Sequence, residues 1–224
     1  MDSSTHTAPD LPGWAWEWLS QPRLGSYVAA AGPCGALELY AWNCRASVAL
    51  FELIGWFEVA WRNNIDRAIC ASRSPEQPHW LFDRKFPLQP RTWAKVAAAV
   101  STVRRRTARP TPDQVIAELT LGFWRFTARG YWTSVWRTHL SRAFPHASGP
   151  PQAAAMDRQL DRIIKLRNRI AHHEPVGPVV AVRAAVEDMF TIGQWINPAM
   201  AAWWRARTAA MRVLSARPCV GPLR

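Results

Sequence analysis

The sequence predicts an all-α fold, a helical bundle, on three observations. Long stretches repeat apolar residues at the spacing of a helix face, no segment alternates with the period of two that a half-buried strand needs, and proline and glycine fall mostly between these stretches.

Each element follows from local pattern. Residues 1–12 read as a disordered lead-in, residues 13–214 as one helical domain and residues 215–224 as a flexible tail. Trp14, Trp16 and Trp18 belong to a short helix ending near Pro22, whose aromatic side chains are expected to cover part of the core. Gly32-Pro33-Cys34-Gly35 is a turn, and the proline-free stretch from about Ala36 to about Ala71 predicts a central helix. Its apolar residues Leu39, Val48, Leu50, Leu53, Ile54, Phe57, Trp61 and Ile65 surround much of the circumference. Ser74 to Pro90 is a connection in which Trp80-Leu81-Phe82 plugs into the bundle. A helix from about Arg91 to about Ala108 closes on Arg104-Arg105-Arg106 and Arg109, and Thr111-Pro112-Asp113 starts a short one. Leu121 to Phe126 follows, then a helix from Tyr131 to Phe144 and a break at Pro145 to Pro151. A further helix is expected from about Gln152 to Glu174, a tight turn at Val176-Gly177-Pro178, a return helix from Val179 to Ile196, and a last helix from Asn197-Pro198 to about Leu214.

Composition narrows the function classes. At 49% hydrophobic residues the chain is too apolar for a disordered one. No uncharged run reaches the roughly 18 to 20 residues of a membrane span, and the N-terminus lacks the basic and apolar regions of a secretion signal, so a cytoplasmic protein is expected. Cys34, Cys44, Cys70 and Cys219 show no C-x-x-C spacing, which favours free thiols over a zinc site; no cofactor is expected. The net charge of +12 is almost all arginine, since Lys85, Lys95 and Lys165 are the only lysines. That balance favours polyanionic partners: RNA, DNA or an acidic antitoxin. An arginine-rich composition spread over a solvated surface explains the same charge. The 14 tryptophans are better explained by packing than by base stacking.

The densest chemistry lies in Lys165-Leu166-Arg167-Asn168-Arg169-Ile170-Ala171-His172-His173-Glu174-Pro175. Met156, Leu160, Ile163 and Ile164 recur at helical spacing, and at about 100° per residue Arg167 falls in the middle of their arc, its guanidinium aimed at the core. Arginine keeps its proton, so an inward one needs a carboxylate, a phosphate or a partner subunit. His172 and His173 fall at the helix end set by Pro175. On the central helix Glu58 sits at the edge of the stripe of Ile54, Trp61 and Ile65, placed to meet such an arginine; an ordinary i,i+4 ion pair with Arg62 is the alternative. The run Arg104-Arg105-Arg106 is either a complement to its helix dipole or a phosphate contact, and Arg169 is a second candidate RNA contact. A metal site from His172, His173 and Glu174 is disfavoured because neighbouring helical residues point about 100° apart.

An arginine-asparagine pair with a histidine after four intervening residues from the arginine, here Arg167, Asn168 and His172, resembles the R-x4-6-H motif of the HEPN superfamily. Leu166 to Pro175 is similar to its Abi-like (abortive infection) branch. So are Leu19-Ser20 with Arg23-Leu24 and Tyr27, Leu39-Tyr40 with Trp42-Asn43, Phe57 to Asn63, and Gly122-Phe123-Trp124. The resemblance implies a HEPN-like bundle with additional N-terminal and inserted helices. It also implies a metal-independent endoribonuclease, usually a homodimer with two motifs facing one another, serving phage defence or acting as the toxin of a toxin–antitoxin pair. Glu58 would then hold Arg167, as an earlier acidic residue does in relatives.

The residue types suit that reaction. RNA is cut when a base removes the 2′-hydroxyl proton and a cation stabilises charge on the phosphate, roles that histidine and arginine fill at neutral pH. His172 and Arg167 supply both, Asn168 would orient the phosphate or the histidine, and His173 is either the second proton-transfer group or a packing residue. Two other readings stand beside it: a structural arginine–glutamate brace with dipole-complementing histidines, and a catalytically silent HEPN-like module that binds RNA, a nucleotide or a partner protein.

Overall fold

A computed structural model of the chain describes residues 11–125, 135–140, 142–149 and 152–219. Among them every regular element is helical and no strand occurs. Most of the expected lead-in (residues 1–10), the start of the Tyr131 helix (131–134), Phe126, and the end of the tail (220–224) lie outside the described residues.

Helix α1 (Gly13–Leu19) is followed by Ser20 in a left-handed conformation, φ 62°. Helix α2 (Gln21–Ala71) then opens with Pro22 in its first turn. Pro22 therefore starts a helix and does not end one, because a first-turn proline gives up no intrahelical hydrogen bond. The break expected at Gly32-Pro33 is present: Gly32 has φ 66° and ψ 172°, and Pro33 restarts the helix. Helix α3 (Pro90–Arg104) also begins on proline. Helix α4 (Pro112–Glu118) is started by a reciprocal capping box, Thr111 Oγ1 accepting from the Gln114 N–H and the Gln114 side chain accepting from the Thr111 N–H. Helix α5 (Leu121–Arg125) and a π-helical turn (Trp136–Leu140) follow.

Helix α6 (Ala153–Ala171) carries the motif, and α7 (Val179–Ile196) has the expected bounds. The last expected helix is two: α8 (Pro198–Arg207), with Asn197 Oδ1 accepting from the Met200 N–H, and α9 (Ala210–Ser215). Between them Thr208 Oγ1 accepts from the Ala210 N–H, a local side-chain bond that competes with continued helix. No helix of the described residues is long and apolar enough to cross a membrane.

The chain divides into two compact units, residues 1–54 with 165–187 and 207–224, and residues 55–164 with 188–206. In the first, the core holds Leu24, Tyr27, Leu39, Trp42, Leu50, Leu53, Leu166, Ile170, Val182, Val186 and Leu214. Trp42 Nε1 donates to the Val213 carbonyl at 2.9 Å, and the Asn43 side chain, buried, accepts from the Val176 N–H at 2.9 Å. Trp14, Trp16 and Trp18 do not cover the core as expected: they are 53%, 39% and 77% exposed, and Ala15 is the buried residue of α1. Three tryptophans at alternate positions cannot share one face of a helix, so one small residue makes the contact.

The second unit packs Phe57, Trp61, Ile65, Trp80, Leu81, Phe123, Trp124, Met156, Leu160, Ile163, Met189 and Phe190. Trp80 and Leu81 do plug its core, while Phe82 stays exposed. Arg125 forks between Asp157 (2.8 Å) and Asp161 (2.6 Å), and Arg162 reaches Asp188 at 2.6 Å. On the central helix Val48, Phe51 and Val59 are exposed, so its apolar residues are not buried all round.

Candidate functional site

The end of α6 is shaped by backbone hydrogen bonds. The Glu174 N–H donates to the Arg169 carbonyl at 2.8 Å and the His173 N–H to the Ile170 carbonyl at 3.0 Å, the two bonds of a Schellman cap. The residue such a cap holds left-handed is usually glycine; here it is His173, with φ 54°. Three further bonds fix the loop: Arg23 Nη1 to the His173 carbonyl at 2.5 Å, Arg169 Nη1 to the Pro175 carbonyl at 3.1 Å, and Val176 N–H to Asn43. Gly177, at φ 99°, lets Arg169 lie close, since a Cβ there would come 2.9 Å from its Nη1.

Arg167 is half-buried, and Asn168, His172 and His173 are exposed. Arg167 is not in the middle of the buried line, as the spacing predicts. That line runs through Met156, Leu160 and Ile163 and then drifts to Leu166 and Ile170, leaving Arg167 at its margin. Among the described residues, the side chains of Arg167, Asn168 and His172 make no hydrogen bond or ion pair.

Beside them lies a cavity of about 730 Å³ lined by Leu19, Arg23, Tyr40, Asn43, Ile170, Ala171 and His173, with Trp18 and Phe51 at its wall. A second, of about 400 Å³, is lined by Ser20, Arg23, Ser26, His173 and Glu174. Arg23 and His173 belong to both. Sequence stretches far apart in the chain thus meet around the end of the motif helix. The chain matches no family model, no curated protein and no solved structure.

The neighbouring phenols do not serve as bases near neutral pH. Burial above all, with the neighbouring Cys44 and Tyr40, pushes Tyr27 up to about 12, and burial likewise raises Tyr40, which meets it edge-to-face at 5.4 Å.

The other singled-out residues lie in the second unit. Glu58 is half-buried and carries no ion pair among the described residues; the i,i+4 pair with Arg62 is not formed, and Arg62 Nη1 turns to the Ala117 carbonyl at 3.5 Å. Helix α3 ends at Arg104, earlier than expected. Arg105 caps it and reaches Thr102 Oγ1 at 3.2 Å, and Arg106 faces Glu118 at 3.5 Å across well-exposed surface. Two of the three arginines thus have local partners, and Arg104, exposed, has none among the described residues.

Sequence reasoning did not single out Arg23 and Asn43 as site residues, although both fall in stretches of the family resemblance. Their signal is three-dimensional: each reaches the loop after α6 from about 130 to 150 residues away. It also missed Asp66, Cys70 and His79, whose donor atoms lie within 4.8 Å of one another. Asp66 and Cys70 share a helix face at i,i+4, which was the available signal.

Proposed function

We propose that the chain is a metal-independent endoribonuclease of the HEPN type, in the Abi-like branch, acting in the cytoplasm as a homodimer in phage defence or as the toxin of a toxin–antitoxin pair. The observation that carries this reading is that Arg167 and Asn168 in the last turns of α6, and His172 just after it, have side chains with no hydrogen bond or ion pair among the described residues. An arginine fork and an imidazole free at one helix end suit a phosphodiester and its neighbouring 2′-hydroxyl.

In this mechanism a neutral His172 removes the 2′-hydroxyl proton. The 2′-oxygen forms a bond to phosphorus, and the bond from phosphorus to the 5′-oxygen breaks. The leaving oxygen takes a proton from an acid, a role open to His173. Arg167 stabilises charge on the non-bridging oxygens and Asn168 orients the phosphate. The products are a 2′,3′-cyclic phosphate and a 5′-hydroxyl. The cavity beside His173, with Tyr40, Trp18 and Phe51, suits an unstacked base.

The test is incubation of the purified protein with a mixed RNA pool in excess EDTA, beside Arg167→Ala and His172→Ala variants of equal helicity. Cyclic-phosphate ends from the parent alone are expected. Intact RNA, or equal cleavage by the variants, refutes the assignment and leaves a silent RNA- or nucleotide-binding module in its place.

A further inference from the structure

In the second unit, α2 ends with Asp66 and Cys70 on one face, and the connection after it brings His79 back against them. The donor atoms of the three residues all lie within 4.8 Å of one another, and His79 Nε2 is 3.1 Å from Asp66 Oδ1. We propose that Asp66, Cys70 and His79 form a binding site for a divalent zinc-like cation, on geometry and donor chemistry alone and independently of the ribonuclease reading.

The distances suit such a centre. Zinc bonds of about 2.0 to 2.3 Å at tetrahedral angles hold ligand atoms about 3.3 to 3.5 Å apart. The histidine and carboxylate are already that close, and the Cys70 sulfur lies within 4.8 Å of both. The donor set of sulfur, imidazole nitrogen and carboxylate oxygen selects a borderline metal over magnesium or calcium, which take oxygen. A thiolate and a carboxylate cancel the cation's two charges. Trp80 Nε1 donates to Asp66 Oδ1 at 2.7 Å and so orients the carboxylate, the kind of outer support that metal ligands receive. Arg67 and Arg73 each lie three positions from Cys70 on the chain, and Arg73 is held by Asp83 at 2.5 Å.

The metal must displace protons. A cysteine binds such a cation as the thiolate, so the Cys70 thiol gives up its proton on binding. His79 Nδ1 accepts from the Leu81 N–H at 3.3 Å, which places the ring proton on Nε2. Metal binding then releases the thiol proton to solvent and shifts the ring proton from Nε2 to Nδ1, at the loss of the long Leu81 contact. Three protein ligands leave a further position for water or substrate. Asp66 also lines a cavity of about 1040 Å³ with Trp56, Arg62, Asn63, Met200 and Trp203.

The test titrates chelator-stripped, full-length protein with Co²⁺. One equivalent is expected to bind, with sulfur-to-cobalt charge-transfer absorption, release of one proton, and loss of the band on adding Zn²⁺. Cys70→Ser abolishes the band, and His79→Gln weakens binding at least about tenfold. A chain with Cys34, Cys44 and Cys219 all replaced by serine keeps it. No band at excess Co²⁺, or a band of equal strength in Cys70→Ser, overturns the site. The readout does not depend on RNA cleavage.

Discussion

Replacing His173 by glycine should stabilise the protein, although a candidate site residue is lost. At φ 54° an L-residue in the left-handed region costs roughly 1–2 kcal/mol, which glycine does not incur. Against this, glycine loses about 0.4–1 kcal/mol more conformational freedom on folding. The capping bonds from His173 N–H and Glu174 N–H involve backbone only, as does acceptance from Arg23 by the residue 173 carbonyl, so all survive. The exposed imidazole makes no hydrogen bond among the described residues. His173→Gly should therefore exceed His173→Ala by about 0.5–1 kcal/mol. At about 2–4 °C per kcal/mol for a chain this long, that is roughly 1–4 °C in Tm. His173→Ala itself should lie within about 0.5 kcal/mol of the parent. Thermal and urea unfolding followed by circular dichroism measure both. A glycine variant no more stable than the alanine one would refute the capping argument. RNA cleavage by the more stable glycine variant then reports on the imidazole without a folding defect.

Other predictions concern what surrounds the site. Asn43→Ala leaves the buried Val176 N–H without an acceptor and should lower stability by about 1–3 kcal/mol, read as a lower urea midpoint at unchanged slope. The Tyr27 hydroxyl is buried with no hydrogen-bond partner, so Tyr27→Phe should be neutral or stabilising by up to about 1 kcal/mol; a clear loss in Tm would mean that the hydroxyl has found one. His139 bonds to Ser72, and burial, with the Arg73 charge, holds its imidazole below the usual histidine value. The unfolded chain therefore takes up this proton first as pH falls. The stabilisation is complete above about pH 6.5 and is lost on acidification through the lower folded value. Urea midpoints at pH 7.5 and 5.5 should differ more for the parent than for His139→Gln. The Asp83 carboxylate, held low chiefly by its hydrogen bond from Arg73, loses its contribution only in the more acidic carboxylate range.

The all-α class, the break at Gly32, the start of α4 and both bounds of α7 were legible because each rests on local chemistry: a period of 3.6, a glycine with φ 66°, a capping threonine, a first-turn proline. What escaped the sequence is what depends on contacts distant along the chain. Pro22 and Ser20 look alike whether they end a helix or start one, and only the fold shows α2 beginning there. The drift of the buried line along α6 follows from what Leu166 and Ile170 meet, and periodicity carries no such information. Within the candidate site the motif could be read from spacing, whereas the roles of Arg23 and Asn43 could not, since their partners are backbone groups of a remote loop.

The division of labour among the residues of the motif argues for function more strongly than the motif does. Arg169 is committed to structure, donating to Pro175 and packed against Gly177. His173 contributes its backbone to the cap and to Arg23. Elsewhere in the chain, arginines withdrawn from water are engaged: Arg73 with Asp83, Arg125 with Asp157 and Asp161, Arg62 with the Ala117 carbonyl and Arg169 with the Pro175 carbonyl. Arg167 is half withdrawn from water and has no hydrogen bond or ion pair among the described residues. Partial desolvation of a charge without a partner opposes folding, so stability alone gives no reason to keep an arginine there. An anion arriving from outside reverses the sign, because it finds a guanidinium that is already partly desolvated and not engaged elsewhere. Arg167→Met tests this directly. If the arginine serves folding, methionine should destabilise the protein; if it serves an anion, methionine should fold at least as well while losing RNA cleavage.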